Sequence, residues 1–140
     1  MKKVIVLFIF LFSTHLSFSQ VHWLVNQDEV TDCILITKGK FINKINETES
    51  IEGYYLKIEN GFVTEFVENG KYFIKSKIEF TTKCSYTSTV IENTIPNYNI
   101  SIGTKIYTEI LETASSDKLI KIRSKMDSDW QIFVLQKIED

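Results

Sequence analysis

The sequence predicts an all-β domain of about eight antiparallel strands, closing into a small barrel or a curled sheet. Two Asn-Gly dipeptides divide neighbouring alternating runs, apolar and polar residues alternate with period two along most of the chain, and β-branched and aromatic residues dominate those runs.

Residues 51–59 (IEGYYLKIE) alternate, with Tyr54, Leu56 and Ile58 on one face, and Asn60-Gly61 follows. Asn-Gly most readily adopts the positive φ angles of a tight hairpin. Residues 62–68 (FVTEFVE) return, Asn69-Gly70 repeats the turn chemistry, and residues 71–80 (KYFIKSKIEF) alternate most cleanly. Tyr72, Ile74, Ser76, Ile78 and Phe80 form one face and Phe73, Lys75, Lys77 and Glu79 the other, so both Asn-Gly pairs are expected as two-residue turns of a meander.

Residues 84–92 are rich in β-branched and aromatic side chains and end in a loop that holds the only proline, Pro96. Residues 103–113 have an Ile-Leu spacing compatible with a helix, but Thr104, Ile106, Tyr107, Thr108 and Ile110 favour a pleated surface. Residues 119–126 alternate again, and residues 130–138 (WQIFVLQKI) close the chain after Asp127-Ser128-Asp129. Upstream lie a short apolar segment at residues 32–36, a strand opening at Lys38-Gly39-Lys40-Phe41, and a polar loop at residues 43–50. Sequential strands usually pair, which favours an up-and-down barrel over a two-sheet sandwich.

The first residues carry a different signal. Lys2 and Lys3 precede an unbroken apolar run at residues 4–12, and Ser17 and Ser19 supply small side chains two apart. That is the pattern of a signal peptide, residues 1–19, cleaved before Gln20. The apolar run is about half of what a membrane span requires. The expectation is therefore a single domain, residues 20–140, exported to the periplasm or outside the cell with no stable membrane anchor. Losing Lys2 and Lys3 takes the formal charge from −2 to −4. An acidic chain whose only arginine is Arg123 is a poor binder of phosphate backbones, so no nucleic-acid partner is expected.

Cys33 and Cys84 are the only cysteines. In an oxidising compartment they are expected to pair. His22 is the one histidine left after cleavage, and no nucleophile-elbow, zincin, Walker, dinucleotide or other cofactor motif occurs. Acidic pairs such as Glu65 with Glu68, or Asp127 with Asp129, read as solvated edges rather than catalytic dyads or metal ligands. The chain is expected not to be an enzyme.

Lys38-Gly39-Lys40-Phe41, the hairpins that follow, and the Glu79–Tyr86 stretch with its Cys84-Ser85-Tyr86 resemble a group of small exported bacterial β proteins, many of them lipoproteins. Their pattern is a cysteine just before a Lys-x-Gly-x-Phe strand and later a Cys-x-Tyr strand. Ile102-Gly103 and the closing Lys137-Ile138 fit the same layout. Phe80 stands where that group commonly has tryptophan, and no cysteine is placed for lipid attachment. The resemblance implies a lipocalin-like strand layout and supplies no catalytic residues.

Two functions of different kinds follow as expectations. One is an interaction module that engages an envelope or extracellular protein through loops and exposed edges. The other is a barrel binding a small apolar ligand, motivated by the aromatic residues of the meander. Tyr54, Phe66 and Tyr72 are its candidate lining, and Tyr72 carries a hydroxyl that needs a partner if it faces inward.

Overall fold

A computed structural model describes residues 24–140. The leader at residues 1–19 and His22 lie outside the described residues. The strands are β1 (Gly39–Lys44), β2 (Tyr55–Glu59), β3 (Phe62–Val67), β4 (Tyr72–Thr82), β5 (Ser85–Asn93), β6 (Lys105–Ala114), β7 (Leu119–Lys125) and β8 (Gln131–Glu139). Each pairs antiparallel with the next, and β8 pairs back onto β1. The result is a closed up-and-down barrel, which leaves no free sheet edge; the sandwich alternative is set aside. The helix-compatible spacing of residues 103–113 resolves as β6. Among the described residues no helix is long and apolar enough to cross a membrane.

The two Asn-Gly turns differ. Asn60 and Gly61, at φ 53° and 80°, link Glu59 directly to Phe62 across the ladder, as the dipeptide predicts. Asn69-Gly70 is not a two-residue turn. Val67 and Tyr72 are the last paired residues, and Glu68, Asn69 and Gly70 all take positive φ (48°, 57° and 91°). The cause is a tertiary contact: the Asn69 amide donates to the Gly53 carbonyl at 3.0 Å, drawing the loop toward the β1–β2 connection.

One barrel end is plugged by a 3-10 turn, Cys33–Ile36, started by the Asp32 carboxylate accepting from the Ile34 amide. Its apolar side chains fill that end: Ile36 is fully buried and Cys33 is disulfide-bonded to Cys84 in the β4–β5 connection. Lys137 reaches inward to donate to the Leu35 carbonyl at 3.3 Å. Just upstream, Asp28 accepts from the hydroxyls of Thr113 and Ser115, each at 2.6 Å, and these bonds hold its carboxyl below the usual range. The opposite end carries the β1–β2, β3–β4, β5–β6 and β7–β8 connections, with Ile95 buried among them.

Candidate functional site

Small barrels are filled by the side chains of alternate strand positions. Here Phe41, Leu56, Ile58, Val63, Val67, Ile74, Val90, Ile120 and Leu135 do most of that filling. Polar residues interrupt the inward positions toward the loop-bearing end: Asn43 on β1, Glu65 on β3, Ser88 on β5, Thr108 on β6 and Ser124 on β7. With Tyr54 and Tyr86 they border a void of about 60 Å³, whose remaining wall is aliphatic and aromatic, including Leu56, Ile122 and Phe133.

Tyr54 lies just before β2, and Glu65 pairs with Leu56. The tyrosine is therefore a same-face diagonal neighbour of the carboxyl, and its hydroxyl donates to Glu65 Oε1 at 2.6 Å. Glu65 is half-buried and borders the void. Desolvation raises its carboxyl above the ordinary range, partly offset by the Tyr54 hydrogen bond. Burial also lifts the phenols of Tyr54 and Tyr86, and lifts Tyr98 to about 12; the Glu65 charge adds to each. Thr108 and Ser124 exchange a hydrogen bond at 2.8 Å. Asn43 is 5% exposed, and its side-chain amide has no hydrogen-bond partner among the described residues.

The expectation that Glu65 sits on a solvated edge is thus corrected. Val63 and Val67 face inward on β3, and the strict period of two takes Glu65 in with them. The alternation of FVTEFV already held that signal. Of the candidate lining residues, only Tyr54 borders the void. Tyr72 packs against the core from the loop-bearing end, half-buried, with the Lys71 ammonium 5.0 Å from its ring centre. Phe66 points outward.

That outward face is organised by register. Tyr55, Phe66 and Phe73 are opposite one another on β2, β3 and β4. The first two rings stack at 4.7 Å, and the last two meet at 6.0 Å. The adjacent cross-strand row reads Lys40, Lys57, Thr64, Lys75. Lys40 lies 4.7 Å over Tyr55, Lys75 lies 4.5 Å over Phe62, and Lys77 pairs with Phe62 across the ladder. Lys40 has Glu139 at 3.4 Å and Lys77 has Glu79 at 3.8 Å, whereas Lys57 and Lys75 make no ion pair among the described residues. A chain of formal charge −2 has therefore gathered lysines and aromatic rings on one wall.

No group of three or more His, Cys, Asp or Glu side chains converges on a metal-sized site among the described residues. No family model, curated protein or solved structure matches the chain.

Proposed function

We propose that this is a non-catalytic, exported interaction module that receives an acidic, aromatic-bearing protein segment on the outer wall of β1–β4. The observation that carries the reading is the three-ring ladder Tyr55–Phe66–Phe73 lying beside the row Lys40–Lys57–Thr64–Lys75. Half-buried rings offer contact area at little entropic cost, and Lys57 and Lys75, which make no ion pair among the described residues, supply an attractive field for opposite charge. The leader pattern and the Cys33–Cys84 bond support an oxidising, periplasmic or extracellular setting. The resemblance to small exported bacterial β proteins agrees with that setting. A barrel binding a small apolar ligand is the less favoured reading, because a void of about 60 Å³ bordered by an amide, hydroxyls and a carboxyl does not suit its chemistry.

The test is a titration with a random glutamate–tyrosine copolymer at low and high salt. Binding that falls with salt, and that is lost in the double variant Lys57→Glu/Lys75→Glu, supports the wall as the docking face. Equal binding by that variant overturns it. Preferential binding of anionic lipid vesicles or single-stranded DNA over the copolymer assigns the wall to a different partner class and likewise overturns the protein-segment reading.

A further inference from the structure

The interior pocket contains a carboxyl with no counter-charge among the described residues. Glu65 accepts from Tyr54 on Oε1, and its second oxygen has no hydrogen-bond partner among the described residues. Among the described residues, no lysine, arginine or histidine borders the void. Across it, the Asn43 amide is buried and equally without a partner among the described residues. Buried polar groups are ordinarily hydrogen-bonded, and buried charges ordinarily paired. Two such groups facing one void mark a place where something else completes the bonding. Leu56, Ile106 and Leu135 give the same void an aliphatic side.

We propose, beyond the outer-wall reading and independently of it, that this pocket binds a short primary aliphatic amine in its ammonium form. Glu65 is the counter-ion, Asn43 Oδ1 is a second acceptor, and the aliphatic side encloses the carbon chain. An ammonium has three donors and no acceptor, so it matches a pocket rich in acceptor oxygens with no cation among its described residues. The Thr108–Ser124 hydroxyl pair borders the same space. Size limits the ligand. A dry cavity that accommodates benzene measures about 150 Å³, so a void of about 60 Å³ admits a chain of only a few carbons.

The proposal ties binding to pH. Glu65 must be ionised to serve as counter-ion, and desolvation raises its pKa in the empty pocket. The titratable groups facing it are the phenols of Tyr54, Tyr86 and Tyr98, which burial keeps protonated beyond neutrality. Affinity therefore weakens as pH falls through the raised Glu65 value.

The experiment titrates n-propylammonium chloride into the oxidised protein, with n-propanol and tetramethylammonium as comparison probes. Binding is read by nuclear magnetic resonance at the Asn43 side-chain amide. Saturable shifts with propylammonium alone are expected, with affinity falling roughly tenfold or more in Glu65→Gln and on acidification, the usual scale for losing a charge-assisted bond. Asn43→Leu, which removes that reporter and is followed instead at the backbone amides of Leu56 and Ser124 bordering the same void, should weaken binding less than Glu65→Gln. Equal binding of propanol would make the pocket a neutral polar site and overturn the proposal. Equal binding of tetramethylammonium would remove the hydrogen-bonding role of the acceptors, and an Asn43 signal unmoved by every probe would mean that water alone fills the void; either result overturns it. If Glu65→Gln does not fold, the pH profile of the unaltered protein decides.

Discussion

Tyr54 and Glu65 meet inside the barrel at 2.6 Å, a phenol from the entry to β2 donating to a carboxyl from β3. Burial resists the ionisation of both groups, and the bond offsets part of the desolvation of the Glu65 carboxylate. Tyr54→Phe keeps the ring and removes the donor. The Glu65 oxygen is then left unpaired, at a cost of about 1–3 kcal/mol in denaturant unfolding. A cost equal to that of an outward-facing, half-buried Tyr→Phe change such as Tyr107→Phe would remove the bond's stabilising role.

Glu65 also sets a pH dependence. Its folded pKa lies above the ordinary 4.5, so the folded state holds the proton more tightly than the unfolded chain. Its contribution to stability is accordingly most favourable below 4.5 and declines as pH rises through the raised folded value. Asp28 acts in the opposite sense: with a folded pKa below 3.8, its contribution is present above that value and lost as pH falls through the folded one. Melting temperature in Glu65→Gln should lose the decline above pH 4.5 and keep the loss at the most acid end. An unchanged profile would show that Glu65 is not the group responsible.

The Cys33–Cys84 bond encloses a sequence separation of 51 residues and fastens the 3-10 plug to the β4–β5 connection. In the chain-entropy model such a loop contributes about 4 kcal/mol. Reduction should lower the unfolding free energy by that order. Thiol alkylation read by mass spectrometry should label neither cysteine before reduction and both afterwards. Labelling of the native, unreduced protein would contradict the bond.

How far the sequence could be read depended on the range of the interactions. The strand faces were legible because alternation is local: Ile74 is 1% exposed and the neighbouring Lys75 points outward, as the pattern of residues 71–80 required. Ile74→Ala should cost about 2–5 kcal/mol through cavity formation. Lys75→Ala should cost about 1 kcal/mol or less, since it loses only a surface contact to Phe62. Comparable losses in the two would mean the faces are exchanged. What the sequence hid was tertiary. Nothing local showed that Phe66 would stack between Tyr55 and Phe73 on the outside, or that Asn43, Glu65 and Ser124 would share one void across the barrel. Glu65 was misread because an acidic residue near a turn is usually solvated, although the period of β3 already turned it inward.

The two Asn-Gly positions make the final prediction, because the same dipeptide sits in two environments. A Cβ at Gly61 would meet nothing within 4 Å, so Gly61→Ala carries only the penalty of a non-glycine residue at φ 80°, about 1 kcal/mol. A Cβ at Gly70 would come within 2.7 Å of the Tyr55 hydroxyl in addition to the strain of φ 91°. Gly70→Ala should therefore destabilise more than Gly61→Ala, and it should disturb the Tyr55–Phe66 stack on the outer wall. Removing the obstructing oxygen isolates that part of the cost. In Tyr55→Phe/Gly70→Ala the steric component should largely disappear, leaving a loss close to that of Gly61→Ala, whereas Tyr55→Phe/Gly61→Ala should be additive. Additivity in both pairs would show that the β3–β4 loop does not approach Tyr55. The difference between the two turns would then rest on backbone strain alone.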